Sequence, residues 1–253
     1  MNLVIHPKHT ITEADLISIV KNFSATGEIL ADGKRNKIKI FELQNKQLNV
    51  KSFKKPIIIN QIIYGYFRPS KAKRSFEYAS LLIDKGIGTP KPIAYVENKN
   101  ILGLKDSYYF CEHINADLTF RELVTNPDWP DHEQILRQFT QFCFKLHENG
   151  IEFKDHSPGN TLIKKVSETS YNFYLVDLNR MNFHDSMNFE LRMKNLSRLT
   201  PKKEMIAVMS NEYAKLFTQN NEQEIFDLMW KETSDFQQKF HKKQALKKKY
   251  LNK

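Results

Sequence analysis

Only two of the 253 residues are cysteine, Cys111 and Cys143, and their separation matches no metal-ligand spacing. That argues against a disulfide scaffold and fits a reducing compartment. No segment approaches the ~18 apolar residues of a membrane span. The opening MNLVIHPKHTITEADL also lacks the charged start and apolar run of a signal peptide. A cytoplasmic location is therefore expected. The chain has no internal repeat and no long low-complexity linker. Acidic residues are missing from its end: none follows Asp235, whereas Lys239, Lys242, Lys243, Lys247, Lys248, Lys249 and Lys253 do.

The net charge is +10, and a second basic cluster lies at Arg68, Lys71, Lys73 and Arg74. Such clusters suit phosphate-rich partners, whether nucleic acid, anionic lipid headgroups or phosphorylated sugars. For the tail, a solvated helix end is the competing reading. The 18 Phe and 10 Tyr supply a substantial core, enough for one large domain or two small lobes.

The first hundred residues favour strands. GEILAD, NKIKIFEL and QLNVKSF carry β-branched and aromatic residues, with Asp32-Gly33 as the first turn. PIIINQIIYGYF opens with Pro56, which suits a helix start. It reads as a core helix ahead of a helix lying on an anionic membrane face. SKAKRSFEYASLLIDKGIG predicts an amphipathic helix capped by Ser70 and stopped at Gly86, with Phe76, Ala79, Leu82 and Ile83 at helical spacing. KPIAYVE and SYYFCEHI predict two more strands. Beyond EHINAD the character turns helical, so a strand-rich unit 1–115 and a helix-rich unit 116–253 are expected. In DHEQILRQFTQFCFKLHENG, residues Ile135, Leu136, Phe139, Phe142, Cys143 and Leu146 form one stripe and Gly150 a stop. NTLIKKV and YNFYLVDL then predict a pair of strands.

FKDHSPGNTLI places Asp155 five positions before Asn160 across a Pro158-Gly159 turn. Asp177 ends the strand FYLVD. If the two strands pair as a hairpin, Asn160 and Asp177 share one end of it. Two oxygen-bearing side chains there can hold Mg²⁺, which prefers oxygen ligands and keeps several waters. Asp155 would stand beside the metal, where phosphoryl transfer needs a base or a residue orienting a hydroxyl. Lys51 sits in the apolar strand LNVKSF and needs a partner, which Glu77 on the next helix can supply. Such a pair would aim the ammonium at nucleotide phosphates.

The arrangement resembles the protein-kinase-like fold in its small bacterial form. VKSF looks like that fold's strand lysine and Glu77 in RSFEYASLL like its helix glutamate. KDHSPGN is similar to the GDLHPGN type of loop in sugar and antibiotic kinases, and LVDLNR stands where the metal-binding strand end belongs. More narrowly, FRPSKAKRSFEYASLLIDKGIGTPKPIAYVE followed by KDHSPGN and VDLNRMNF resembles the lipopolysaccharide core (Kdo/heptose) kinases, from about Gly27 to Phe183.

The resemblance implies an α+β, two-lobed fold with a small antiparallel-sheet N-lobe and a mainly helical C-lobe. It implies ATP and Mg²⁺ as cofactors. Asp155, Lys51 and Glu77 would be catalytic, and Asn160 and Asp177 the metal ligands. Gly33, Lys34 and Arg35 would cover the phosphates, and Glu112 and His113 would meet adenine through backbone groups. The sequence departs from the pattern in three places: Phe153 stands two positions before Asp155, Leu-Asn follows Asp177, and ADGKRNKI has one glycine where a Gly-rich loop would be.

The acceptor implied is a lipid-linked acidic sugar, Kdo ahead of heptose, with peripheral contact to an anionic membrane. Lys71, Lys73, Arg74, His156 and Arg180 are candidate substrate contacts. A turn-stabilising role for His156 and an ordinary salt bridge for Arg180 stay open. Two alternatives remain: a small-molecule kinase with a soluble acceptor, and a nucleic-acid-binding or scaffold protein on a degenerate kinase fold. The retention of Asp155, Asn160, Asp177, Lys51 and Glu77 disfavours the second. The sequence carries no signal of oligomeric state.

Overall fold

The structure, a computed structural model, describes residues 1–33, 36–54, 63–64, 68–101 and 103–251. Most of the expected apolar helix from Pro56 to Phe67 lies outside the described residues, as do Lys34 and Arg35. The chain forms two compact units, Met1–Asn115 and Ala116–Lys253.

The first unit contains β1 (Asn2–Ile5), α1 (Glu13–Asn22), β2 (Glu28–Asp32), β3 (Asn36–Leu43) and β4 (Lys46–Phe53), followed by α2 (Lys71–Asp84), β5 (Pro92–Asn100) and β6 (Gly103–Glu112). Its six strands form one antiparallel sheet in the order β1-β5-β6-β4-β3-β2. Alternation along β4 divides the sheet's two faces. Leu48 and Val50 are fully buried on one face, in a core with Leu16 of α1, Phe41 and Phe110. Lys51 and Phe53 point to the other face, where Lys51 stands opposite Tyr109 of β6.

Local chemistry sets the helix ends. Thr12 caps α1: its hydroxyl accepts from the Asp15 N–H while the Asp15 carboxylate accepts from the Thr12 N–H. Ser70 caps α2 by accepting from the Lys73 N–H at 3.1 Å, and Gly86 leaves the helix at a φ of +67°. Helix α2 packs on β5 and β6, with Phe76 against Tyr95 at 5.3 Å between ring centroids.

The second unit contains β7 (Leu118–Thr119), α3 (Phe120–Thr125), α4 (His132–Glu148), β8 (Ile151–Phe153), β9 (Thr161–Lys165) and β10 (Tyr171–Leu175). After these come β11 (Met181–Phe183), α5 (Phe189–Leu196), α6 (Lys203–Ala214) and α7 (Glu222–Leu251). The stripe on α4 is its core face: Ile135, Leu136, Phe139, Cys143 and Leu146 are buried, and Phe142 packs at the margin. Residues of α3, α5, α6 and the first half of α7 complete that core, among them Leu123, Met193, Tyr213, Ile225 and Met229. Two small antiparallel sheets, β10-β9-β7 and β11-β8, lie along this helical body.

Candidate active site

Strand β8 delivers the chain into the loop that carries Asp155. Its partner β11 pairs Met181 with Phe153, and the Lys154 N–H extends the ladder by donating to the Arg180 carbonyl at 3.0 Å. The chain then turns. The His156 N–H donates to the Phe153 carbonyl at 3.1 Å, and Pro158–Asn160 form a single 3-10 turn closed by the Asn160 N–H on the Ser157 carbonyl at 2.9 Å. The Asn160 side-chain amide donates to the Asp155 carbonyl at 2.8 Å, tying the two ends of the loop together.

Strands β9 and β10 pair as a hairpin, with Thr161 opposite Leu175, and the Val176 N–H reaches the Asn160 carbonyl at 3.0 Å. Asn160 and Asp177 therefore lie at the same end of the hairpin. Asp177 adopts a left-handed φ of +60°, uncommon for a residue other than glycine. Asn179 stabilises that turn, its N–H donating to the Asp177 carbonyl at 2.9 Å and its amide to Asp177 Oδ1 at 2.5 Å.

The donor set fits a hard cation. With its nitrogen held by the Asp155 carbonyl, the Asn160 side chain has its oxygen to offer, and Asp177, exposed, carries a carboxylate at the same end of the hairpin. Asp155 itself is gripped from two sides: Arg180 Nη1 donates to Oδ1 at 3.1 Å and Arg198 Nη1 to the same oxygen at 3.2 Å. Arg180 thus lies at the carboxylate.

In the first unit Lys51 is only 9% exposed, its ammonium 5.4 Å from the centre of the Phe53 ring. Glu77 forms an ion pair with Lys73, one helical turn away at 3.7 Å. Both partners in that pair are more than a third exposed. The Gly33 N–H closes the β2–β3 turn on the Asn36 carbonyl at 2.9 Å. The N–H groups of Glu112 and His113 are used within the unit, donating to the carbonyls of Lys91 and Gln47. Of the basic cluster, Lys71 and Lys73 are half-buried and Arg74 is buried. Burial, with Arg68 nearby, pushes the Arg74 guanidinium below its usual value. On the same face of the sheet as Lys51, burial pushes the Cys111 thiol up to about 12, against the opposing pull of the Lys51 charge.

A family model, described as the Lipopolysaccharide kinase (Kdo/WaaP) family, matches residues 25–227. The chain belongs to the lipopolysaccharide kinase family. Among solved structures, one described as WaaP in complex with acyl carrier protein is similar to this lipopolysaccharide kinase, with a TM-score of 0.61 and 15% identity. The match covers 96% of this chain and 99% of that one. The fold is accordingly the α+β, protein-kinase-like one, with an antiparallel-sheet N-terminal unit and a mainly helical C-terminal unit. A comparison with curated protein sequences finds no match. No helix among the described residues is long and apolar enough to cross a membrane.

The structure of this lipopolysaccharide kinase also brings to the site residues that carry no sequence signal. Asn195 of α5 donates to the Phe153 carbonyl at 2.9 Å, two residues before Asp155. The Asn195 oxygen faces His147 Nε2 at 3.3 Å, and His147 Nδ1 faces the Tyr213 hydroxyl at 2.8 Å. His156 is fully buried against Phe139 and Phe153, and neither ring nitrogen has a hydrogen-bond partner among the described residues. That is a packed position beneath the loop, with no exposed atom to meet an acceptor. Burial pushes both His147 and His156 down to about 3, so both imidazoles are neutral at pH 7.

Proposed function

We propose that this lipopolysaccharide kinase uses ATP and Mg²⁺ to phosphorylate a sugar hydroxyl of the inner core, Kdo on lipid A precursor ahead of heptose. The carrying observation is the loop–hairpin geometry of the second unit. The Asn160 amide on the Asp155 carbonyl and the Val176–Asn160 backbone bond gather Asp155, Asn160 and Asp177 at one place. In this reading Asn160 and Asp177 hold Mg²⁺, which screens the charge of the transferring phosphoryl group. Asp155 accepts a hydrogen bond from the acceptor hydroxyl and orients it for attack. Lys51 grips the nucleotide phosphates, with Gly33, Lys34 and Arg35 as a covering turn and Glu112 and His113 near the adenine. Glu77 remains the candidate partner of Lys51, because its present contact with Lys73 is a solvent-exposed i,i+4 pair of a kind worth about 0.3–0.5 kcal/mol.

Acidic sugars on a lipid carrier suit the basic residues Lys71, Lys73 and Arg180. The run from Lys239 to Lys249 suits the anionic membrane surface on which such an acceptor would lie.

The test is incubation with labelled ATP, Mg²⁺ and a panel of Kdo-lipid A, heptosylated core, an aminoglycoside and a generic protein. Label is expected in Kdo-lipid A, and Asp155→Ala should lower transfer by about 10²–10⁴-fold while Mg-ATP binding persists. Label confined to the aminoglycoside or the protein would refute the acceptor, and full transfer by Asp155→Ala would refute the role of the carboxylate.

A further inference from the structure

Arg198 lies between α5 and α6, 43 positions beyond Asp155 in sequence. One of its nitrogens, Nη1, donates both to Asp155 Oδ1 at 3.2 Å and to the Lys154 carbonyl at 2.5 Å. The guanidinium stacks 5.4 Å from the ring centre of Phe236 on α7. Its Nε is buried with no partner among the described residues. Arg180 reaches the same carboxylate oxygen from just before β11, but it is 60% exposed, whereas Arg198 is 35% exposed and braced by the ring. Asp155 Oδ2 makes no hydrogen bond among the described residues.

We infer that Arg198 is a positioning residue for phosphoryl transfer, one that fixes the Asp155 carboxylate by Oδ1 and so presents Oδ2 to the acceptor hydroxyl. The inference rests on the proposed role of Asp155 and adds to it the group that sets the carboxylate's direction. A carboxylate rotates broadly about its terminal torsion, and a hydroxyl aligned with a phosphorus tolerates little error. Arg198 removes that freedom. It joins the carboxylate to the backbone of the preceding residue, so side chain and loop move as one body. A guanidinium left with an unsatisfied buried Nε is an arrangement that packing alone would not favour. Lysine would keep the charge but lose the planar head that stacks on Phe236.

The experiment compares Arg198→Ala, Arg198→Lys, Phe236→Leu and Asp155→Ala with the wild type, using Mg-ATP and Kdo-lipid A. Arg198→Ala should lose about 100-fold in kcat, with the KM for ATP and the Tm close to wild type. Millimolar guanidinium in the buffer should restore part of the loss, and Arg198→Lys should fall between. Rescue by guanidinium is a readout that a purely structural arginine would not give. Should Arg198→Ala fail to fold, Phe236→Leu carries the test, since besides the brace it removes only a ring contact with exposed Phe240: a kcat reduced by about tenfold is expected, and an unchanged kcat overturns the inference. A folded Arg198→Ala with wild-type kcat, or a loss that guanidinium does not restore, also overturns it. If Asp155→Ala is inactive while Arg198→Ala is fully active, the inference alone fails. If Asp155→Ala keeps its activity, the catalytic reading fails and the inference with it.

Discussion

At the scale of single residues, two glycines beside the loop make opposite predictions. Gly150 has a φ of +67°, and a Cβ placed on it would lie 1.9 Å from the His184 carbonyl oxygen. The same residue's carbonyl accepts from the His184 N–H at 2.8 Å, so neither backbone can retreat without breaking the β8–β11 entry to the loop. Gly150→Ala should destabilise the second unit by at least about 2 kcal/mol. At Gly159 the added Cβ would meet the Arg121 guanidinium at 2.6 Å, the far end of an exposed side chain that can swing aside. Gly159→Ala should therefore cost under about 1 kcal/mol. Urea titrations of the two variants check the contrast, and equal costs would contradict it. Asp155, Asn160 and Asp177 could be read from the sequence because their spacing is local and the hairpin between them is announced by strand-forming residues. Arg198 could not, because its contact with Asp155 is made by the packing of α5 and α7, which no spacing records. The burial of Arg74 and His156 was hidden for a related reason: a sequence displays the polarity of a side chain, not what covers it.

At the scale of elements, strong periodicity was legible and short edges were not. The strands β2 to β6, the hairpin β9–β10 and the helices α2 and α4 follow from alternation, stripes, Ser70 and the glycine stops. The strand β1 and helix α1 went unread. A four-residue edge strand has too few positions to show alternation, and the α1 capping box uses Asp15 where the usual signature has Glu or Gln. Helix α7 behaves as two segments. Ile225, Met229 and Thr233 are buried, whereas every residue from Gln238 to Lys249 is exposed, including Phe240 and Leu246. The exposed half carries six lysines, Lys239, Lys242, Lys243, Lys247, Lys248 and Lys249, and no acid. Each lysine near an anionic lipid surface contributes about 1 kcal/mol. Ending the chain after Gln238 should thus abolish sedimentation with vesicles containing phosphatidylserine at low salt, while leaving the Tm within about 2 °C, since Lys239 to Lys249 are all exposed. Undiminished binding by the shortened chain would place any membrane contact elsewhere.

At the scale of the molecule, the buried imidazoles set how stability responds to acid. His147 and His156 are held neutral in the folded state, their values lowered from the ordinary 6.5 to about 3 by burial. The unfolded chain takes up a proton at each as the pH falls below about 6.5, and the folded chain does not until about pH 3. Between those limits the unfolded state binds more protons, so stability falls as the pH falls, and each histidine shifts the folding equilibrium by up to about tenfold per pH unit. Carboxylates also held below their usual values, Glu122, Asp131 and Glu212, add a loss of the same sign at lower pH. The window from about pH 6.5 to 5 therefore isolates the histidines. Both tryptophans of the chain, Trp129 and Trp230, pack against the core of the unit that holds the two imidazoles, so their fluorescence reports the relevant unfolding. His156 sits between two phenylalanines, its ring nitrogens make no hydrogen bond of ordinary geometry among the described residues, and only the nearby Asn195 side chain offsets its burial. His156→Leu should consequently be no less stable than wild type at pH 5, and should make the pH dependence in that window clearly shallower. His147→Leu should flatten the profile equally but weaken the unit at pH 7, because it strips partners from Tyr213 and Asn195. A His156→Leu profile as steep as that of the wild type would show that this imidazole becomes charged in the folded protein.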